Sequence, residues 1–335
     1  MNTQNKKHSP YENTSRYLVV LRFVLTWLLV VAIFVIIFSS IEFTDVLRVM
    51  KRTDIRFLSA AIAFSFFAHV IFSSARYQKV IESLGCRISF FESVIIRMGC
   101  NPIKGILPFK TGELAIAAYM NKKHNLSYSQ GLFSLLFGYI FSLMVLMIFY
   151  FCGGIFYFHD PYQKIIHAAI FMLVLFLAMP LNFKKMSRRI TGCLKRYQKP
   201  REDLTYIIEK YDTKAINNIF LFSSGIETSK LLIIFAVLKS FHVTIPVEAL
   251  LLLGSITIIA VYLPITYWGL GVRESAILLV FSSYATPETL LAGSLLITFI
   301  DGVLPVLLGL FFIKPFLNGL WEKEKEGRDV ISNSP

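Results

Sequence analysis

Long apolar runs alternate with short polar segments along most of the chain. The hydrocarbon core of a bilayer is about 30 Å thick, so a helix needs roughly 20 predominantly apolar residues to cross it. The strongest run, Gly131–Phe158, contains no Asp, Glu, Lys or Arg. We predict an all-α fold, a polytopic membrane helix bundle with about seven full spans: Leu18–Ser40, Ile55–Ala75, Gly131–Phe158, Ile165–Leu181, Ile216–Ser240, Val247–Leu263 and Thr289–Ile313.

Two further apolar stretches, Ile103–Met120 and Pro264–Ala285, are broken by Pro and Gly. Both residues interrupt helices, and irregular backbone persists at membrane depth only where protein or a water-filled cavity satisfies its polar groups. These two segments therefore either cross the membrane as broken helices or re-enter it. Four predicted runs separate the two breaks, so we expect both to open to the same side if neither segment crosses.

The composition excludes most soluble classes of protein. Hydrophobic residues make up 55% of the 335 positions, charged residues only 16%, and the mean hydropathy is +0.62. A soluble domain carries about 25% charged residues, so an ordinary cytosolic enzyme, a disordered chain and a collagen-like fibre are all excluded. The four cysteines, at positions 86, 100, 152 and 193, lack the spacing of a disulfide framework or a zinc site. We expect no metal and no cofactor.

The net charge of +13 comes from basic residues that fall between the apolar runs. Cytoplasmic loops of membrane proteins collect Lys and Arg. We interpret the excess as a topology signal and expect no nucleic-acid partner; a specific anionic partner is the alternative. The segment Asn182–Lys214 holds ten Lys or Arg and four Asp or Glu, a net charge of +6. We predict that it is a cytoplasmic loop, reached after four crossings from a cytoplasmic N-terminus.

This topology divides the chain into a cytoplasmic tail 1–17, a transmembrane domain 18–313 containing the basic loop 182–214, and a charged tail 314–335. We place the protein in the cytoplasmic membrane. The loop Glu42–Asp54 departs from the charge rule, since it is predicted outside yet carries three basic residues. Inside the basic loop, apolar residues at helical spacing indicate either an amphipathic helix on an anionic leaflet or a plain orienting loop: Phe183, Met186, Ile190, Leu194 and Tyr197.

Charged side chains inside a predicted span are costly and are functional candidates by default. Glu227 and Lys230 lie three residues apart, which places them on one helix face where they can pair. They form either a substrate or proton site or a structural ion pair. Asp301 lies near the middle of the last run and is a candidate for a functional role. His69 fits either a site or a hydrogen bond to a neighbouring helix.

The two broken stretches share a pattern of Leu-Pro, then Gly, then a Glu that opens an apolar stretch. Lys110 precedes Glu113 in the first break, and Arg273 precedes Glu274 in the second. Helix N-termini attract anions through free N–H groups, and matching helix breaks in two halves of a chain indicate a transport site. We predict that Lys110 and Arg273 face one polar cavity and bind a phosphate. Alternatively, the two glutamates only complement their own helix dipoles.

These two breaks resemble motifs of the lysylphosphatidylglycerol synthase transmembrane-region family, also called flippase-like integral membrane proteins. The likeness extends over Leu18–Phe312 in the order and spacing of the runs. Family members often carry Arg at three positions that are occupied here by Lys110, Ile116 and Thr298. The matching motifs are Leu107-Pro108 with Gly112-Glu113, and Leu263-Pro264 with Gly269-Leu270-Gly271-Val272-Arg273-Glu274-Ser275-Ala276.

The resemblance implies a protein that moves lipids between leaflets, with a phospholipid or a polyprenyl-linked lipid as an anionic or phosphate-bearing envelope substrate. Members that make lysyl-lipid carry a soluble aminoacyl-transferase domain after the membrane part. This chain ends about twenty residues after its last predicted helix and shows no G-x-S-x-G, H-E-x-x-H or P-loop motif, so we expect no enzyme. The alternatives are an accessory membrane subunit working with envelope-biosynthesis proteins, and a membrane-embedded lipid-modifying enzyme.

A single cysteine at Ser187 tests the predicted topology in a variant whose native cysteines are replaced. We expect a membrane-impermeant thiol reagent to leave this cysteine unlabelled in intact cells, because a loop of net charge +6 stays in the cytoplasm. Permeabilised cells should be labelled and serve as the control. Labelling from outside intact cells would contradict the cytoplasmic placement.

Overall fold

The computed structural model describes residues 24–25, 27–39, 41–107, 111–178, 213–263, 266 and 269–332. Regular structure within these ranges is helical, without a strand, as the all-α prediction requires. Three predicted features lie outside them: the N-terminal tail 1–17, the amphipathic helix in the basic loop 182–214, and Lys110.

Twelve α-helices and a 3-10 turn, Thr111–Glu113, are present in the described part of the chain, and π-helical turns interrupt three of the α-helices. The π-helical turns are Phe67–Phe72 in α3, Leu250–Gly254 in α10 and Phe299–Val303 in α12. The helices are α1 (Trp27–Ser39), α2 (Phe43–Met50), α3 (Ile55–Ser83), α4 (Phe90–Gly99), α5 (Asn101–Ile106), α6 (Leu114–His124), α7 (Tyr128–Tyr157), α8 (Pro161–Ala178), α9 (Thr213–Ser240), α10 (Val247–Tyr262), α11 (Val272–Val280) and α12, which comprises Pro287–Thr298, the π turn and Leu304–Ser332.

Four of these helices are long and apolar enough to cross a membrane: α3, α7, α9 and α12. The pair α1 and α2, bent by 84°, makes a fifth if it counts as one broken span. The prediction of about seven full spans is therefore not confirmed. At 1.5 Å per residue α10 is only about 24 Å long, and the predicted run Ile165–Leu181 extends past the described end of α8.

The first broken stretch lies in a segment that enters the bundle and returns to the same end of it. The Ser89 hydroxyl caps the start of α4 by accepting from the backbone N–H of Glu92, at 3.1 Å. The Glu92 carboxylate lies 2.9 Å from His124 Nε2 and 3.1 Å from Lys123 Nζ, both in the last turn of α6. Residues 90–107 and 111–124 thus form the two arms of a hairpin, named here the first hairpin, whose two outer ends meet.

Burial and hydrogen bonding act in opposite directions on the Glu92 carboxyl group. Burial raises its pKa, but the hydrogen bonds from His124 and Lys123 outweigh burial and hold the pKa below its ordinary value. The cluster therefore favours the ionised carboxylate, which in turn ties the start of α4 to the end of α6.

Residues 247–280 form the second hairpin from α10 and α11. Tyr284, which follows α11, interacts with Tyr157 at the end of α7 and lies near Glu248 in the first turn of α10. Gly153 of α7 packs directly against the backbone of Leu252 in α10. The outer ends of this hairpin therefore lie beside the C-terminal end of α7.

The tips of both hairpins meet near the middle of α7. The Tyr139 hydroxyl donates a hydrogen bond to Glu113 at the tip of the first hairpin. The Tyr139 ring also lies 5.9 Å from the ring of Tyr262 at the tip of the second. The first hairpin follows the N-terminal half of α7, where Ala117 contacts Gly131, and the second follows the C-terminal half. The hairpins thus enter from opposite ends of the bundle.

This arrangement corrects the expectation that both breaks open to the same side. That expectation counted Val247–Leu263 as a full crossing. In the structure this run is the entering arm of the second hairpin, because the chain turns at its end and α11 packs back against α10. Removing one crossing from the count reverses the relative orientation of the two breaks.

The helix α9 lies at the centre and packs against α3, α7, α10 and α12. Its buried apolar residues join one large cluster at the end where the second hairpin enters, which includes Leu146, Leu231, Ile234, Val237, Leu252, Ile277 and Phe281. A second cluster lies at the other end and includes Ile81, Ile96, Tyr119, Met120, Phe137, Ile219 and Phe316. Together the clusters hold the hairpins against the long helices.

The C-terminal half of α12 lies at the end of the bundle where α9 begins. Phe316 of α12 stacks on Tyr119 of α6 with 5.3 Å between ring centroids, and both belong to the same buried cluster as Ile219 near the start of α9. The C-terminal segment of α12 is therefore on the side to which the basic loop 182–214 connects.

Acidification tests the role of the Glu92 cluster. A carboxylate whose pKa is lowered on folding contributes stability above its unfolded-state pKa, and the contribution is lost as the pH falls through the folded-state pKa. We expect the melting temperature of detergent-purified wild type to exceed that of Glu92→Gln at pH 7, and the difference to shrink below pH 4.5, the ordinary glutamate value. The contribution should be less than about 1 kcal/mol, because the cluster is partly exposed.

The matched control for this experiment is Glu82→Gln. It also removes a carboxylate, but one whose single partner among the described residues is Lys79, three residues earlier on the same helix. We expect a smaller effect from this substitution. A difference between wild type and Glu92→Gln that stays constant from pH 7 to pH 3 would contradict the assignment.

Candidate functional site

Three adjoining cavities of about 250, 180 and 120 Å³ form a chamber in the middle of the bundle, where charged and hydroxyl groups project from walls that are otherwise largely apolar. His69 and Tyr262 line all three, so the cavities are immediate neighbours. Its walls come from α3, α4, α5, α7, α9, α10, α11 and α12. The largest compartment lies between the two hairpin tips, since it is lined by Leu107 and Glu113 from the first and by Leu263, Thr266 and Arg273 from the second.

The tip of the first hairpin folds tightly back onto α5. A Cβ at Gly112 would lie 2.6 Å from Lys104 Cα, so only glycine permits this approach. The Glu113 carboxylate accepts from the Tyr139 hydroxyl and lies 3.9 Å from Lys104 Nζ. The sequence predicted Lys110 as the cation beside Glu113, and Lys110 lies outside the described residues. The cation that contacts Glu113 in the described part is Lys104.

At the tip of the second hairpin, Gly271 adopts φ +80°, a conformation that L-residues rarely take. Its backbone N–H donates to Glu274 Oε2 at 2.6 Å, and the Thr298 hydroxyl donates to Glu274 Oε1 at 2.6 Å. Glu274 is fully buried and is not among the residues that line the chamber. These contacts favour the interpretation that Glu274 caps the start of α11.

Arg273 extends into the chamber and pairs with Asp301. Its Nη2 lies 3.5 Å from Asp301 Oδ2, and its Nη1 donates to the Thr298 hydroxyl at 3.3 Å. The other oxygen of Asp301 lies 2.9 Å from His69 Nε2. Asp301, predicted as a lone central carboxylate, is therefore held between a cation from α11 and an imidazole from α3.

Both partners in the His69–Asp301 contact lie on π-helical turns, one in α3 and one in α12. Such turns occur frequently at functional sites because the extra residue redirects a side chain. The Ser65 hydroxyl donates to the Ile300 carbonyl at 2.7 Å and fixes the two helices next to the contact. The turns thus direct His69 and Asp301 toward each other across the chamber.

The predicted pairing of Glu227 and Lys230 is confirmed, with a third member that the sequence did not reveal. Lys230 Nζ lies 3.4 Å from both oxygens of Glu227 and donates to the Tyr262 hydroxyl at 2.6 Å. That hydroxyl donates to Glu227 Oε1 at 2.7 Å. Lys230 and Tyr262 line the chamber, whereas Glu227 is completely buried behind them. The pair therefore bonds α9 to the tip of the second hairpin.

Comparison with known proteins identifies the membrane domain that contains this chamber. A family profile described as the lysylphosphatidylglycerol synthase TM region matches residues 19–309. The chain belongs to that family. The match includes both hairpins and all the residues that line the chamber. A search of curated proteins found no match to the chain.

Two arginines of this family domain were missed by sequence reasoning. Arg76 of α3 and Arg97 of α4 line the 180 Å³ compartment together with Lys104 and Lys230. The apolar run predicted for α3 ends at Ala75, but the helix continues to Ser83. A longer helical window would have placed Arg76 inside the span. Arg97 lies in an amphipathic segment that no apolar run indicated.

The chamber offers fixed charges and hydrogen-bond donors in a space between the helices. Lys104, Lys230 and Arg273 each have a carboxylate within 4 Å. Among the described residues, no group of three or more His, Cys, Asp or Glu side chains has the arrangement of a metal site. The site is thus suited to holding a polar or anionic headgroup at membrane depth.

A double-mutant cycle tests the pairing of Glu227 with Lys230. Each single change, Glu227→Gln or Lys230→Met, leaves one uncompensated charge at membrane depth, which costs more than removing both. We expect the double variant to have a higher melting temperature than either single variant, with a coupling energy of at least about 1 kcal/mol.

The control cycle uses Lys79 and Glu82, which have the same spacing and lie 2.7 Å apart but are about one-third exposed. Exposed pairs contribute little, so the effects of Lys79→Met and Glu82→Gln should add. Additive effects at Glu227 and Lys230 would contradict the buried pair.

Proposed function

We propose that this member of the lysylphosphatidylglycerol synthase TM region family moves a phosphate-bearing envelope lipid between the two leaflets of the cytoplasmic membrane. The observation that carries the proposal is the chamber at which two hairpins from opposite ends of the bundle meet. Binding sites near the midplane, formed by discontinuous helices, are characteristic of transporters. A site between opposed hairpins is suited to access from either side in turn.

The chamber fits the needs of a lipid, whose headgroup is polar and whose chains are apolar. A polar headgroup cannot enter hydrocarbon without compensating interactions, and the chamber supplies cations, hydroxyls and an amide. Leu107 and Leu263 line the largest compartment while remaining 42% and 53% exposed. An apolar rim of this kind allows acyl or prenyl chains to stay outside while the headgroup enters.

Each charged residue of the site has a role in this proposal. Arg273 and Lys230 bind the phosphate, and the same role is proposed for Lys110, which lies outside the described residues. Asp301, Glu113 and Glu227 hold the neighbouring cations in place when no headgroup is bound. Glu274 keeps the start of α11 in position. In this proposal the lipid changes leaflet without any change in its covalent structure, so the protein acts as a transporter and not as an enzyme.

The orientation follows from the charge of the basic loop. We propose that the N-terminus and the loop 182–214 are cytoplasmic, because the loop carries net charge +6. The first hairpin then enters from the cytoplasmic side. The C-terminal half of α12 lies at that side too. The second hairpin enters from the opposite side.

Purified protein in liposomes with a headgroup-labelled phospholipid tests the proposed function. We expect the label to become accessible from the opposite leaflet faster than in protein-free liposomes. Recovery of a chemically altered lipid would instead indicate a membrane-embedded enzyme. Unaltered lipid that stays in its leaflet would contradict translocation and favour an accessory subunit of a synthesis pathway.

Substitution of Arg273 tests the proposed phosphate contact in the same assay. We expect Arg273→Gln to lower the translocation rate at least about tenfold, because a charged hydrogen bond is lost. Arg273→Lys should restore only part of the rate, since an ammonium group cannot replace a planar guanidinium fork.

The matched control is Arg48→Gln, which removes an exposed arginine paired with Asp45 outside the chamber and should leave the rate unchanged. A wild-type rate in Arg273→Lys, at normal expression and melting temperature, would refute the phosphate contact at this residue.

A further inference from the structure

Arg76 and Arg97 form one end of the chamber, away from the contact between Arg273 and Asp301. Both line the 180 Å³ compartment, where Ser73, Asn101 and Tyr139 lie beside them. Arg76 comes from α3 and Arg97 from α4, and both side chains are half-buried. None of the roles proposed above uses this pair.

Most of the hydrogen-bonding capacity of this arginine pair is unused within the described residues. Arg76 makes all its bonds through Nη1, which donates to the Gly138 carbonyl at 3.0 Å and to the Ser142 and Ser223 hydroxyls at 2.8 and 3.3 Å. Arg97 donates only through Nε, to the Ser73 hydroxyl at 3.0 Å. A guanidinium carries five N–H donors. The remaining nitrogens therefore leave donors for a ligand in the compartment.

The pair also differs from the other cations of the chamber in its charge balance. Lys104, Lys230 and Arg273 each have a carboxylate within 4 Å, whereas in the described part of the chain neither Arg76 nor Arg97 has one. Charges at membrane depth are costly unless paired, and two adjacent arginines also repel each other. An anion with two negative charges would compensate both of them.

We propose that Arg76 and Arg97 bind the terminal phosphate of a lipid that ends in a phosphomonoester or a diphosphate. The inference rests on the proposed function for the premise that the chamber admits a lipid headgroup. A phosphomonoester carries about −1.5 to −2 charges at pH 7 and presents three acceptor oxygens. Two arginine forks match such a group. A phosphodiester carries a single charge and would leave one arginine uncompensated.

Binding to detergent-purified protein tests the ligand class without any transport step. The probes are farnesyl diphosphate, dioctanoyl phosphatidate, dioctanoyl phosphatidylglycerol and inorganic pyrophosphate, titrated by calorimetry. We expect farnesyl diphosphate and phosphatidate to bind at least about tenfold more tightly than phosphatidylglycerol, because only the first two carry a second charge. Equal or tighter binding of phosphatidylglycerol would overturn the proposal. Pyrophosphate binding as tight as farnesyl diphosphate would overturn the assignment to a lipid.

Variants assign the binding to the arginine pair. We expect Arg97→Gln to weaken farnesyl diphosphate binding at least about tenfold without affecting phosphatidylglycerol. Arg76→Gln also removes bonds between α3 and α7, so Arg76→Lys is made alongside it and should retain the fold with weakened binding. The control is Arg87→Gln, which removes an exposed arginine outside the chamber. Unchanged binding in Arg97→Gln and Arg76→Lys would overturn the assignment.

The binding titrations and the liposome assay together distinguish a failure of the headgroup site from a failure of the proposed translocation. Selective binding that depends on Arg76 and Arg97, combined with no leaflet exchange in liposomes, would support the headgroup site and contradict translocation. Leaflet exchange combined with no selectivity among the probes would support translocation and contradict the headgroup site.

Discussion

The cost of holding an ionised side chain at membrane depth determines how these helices are arranged. Apolar contacts discriminate poorly between helix neighbours in lipid, because lipid tails are as apolar as the side chains they would replace. Ionic and hydroxyl contacts supply the discrimination here. Asp301 joins α12 to α3 and α11, Lys230 joins α9 to α10 through Tyr262, and Glu113 joins the first hairpin to α7. The contacts that define the chamber therefore also fix the positions of its walls.

The two hairpins explain how polar backbone is tolerated in the interior. Their helices are too short to cross: α11 has nine residues and spans about 14 Å. Each tip instead packs against α7, and polar groups at the tips bond to protein, as when the Gly271 N–H bonds to Glu274. Because both tips reach Tyr139, one tyrosine on a continuous helix sets the depth at which the hairpins stop.

Sequence reasoning located much of the site but not its geometry. The structure contains three features that the sequence indicated. They are the long apolar helix α7, the ion pair of Glu227 with Lys230, and the helix break before Arg273. The number of spans was overestimated because hydropathy cannot separate a short hairpin arm such as α10 from a crossing helix. Arg76 was missed because the apolar run ends at Ala75, whereas the helix continues to Ser83 and carries polar side chains inside the bundle. The sequence could not show that Tyr139 and Tyr262 bond to these charged residues, because the partners of a hydroxyl group are set by contacts between distant parts of the chain.

The pairing of α11 with α12 also has a consequence for biogenesis. Arg273 and Glu274 lie in a helix too short to span, and their partners Asp301 and Thr298 belong to α12. Until α12 has left the ribosome, Arg273 has no carboxylate partner among the described residues, and Glu274 keeps only its bond from the Gly271 N–H. An unpaired arginine costs about 2.5–3.5 kcal/mol at the membrane centre. We therefore expect α11 to enter the membrane together with α12 as one unit, so that the site is assembled only when α12 is in place.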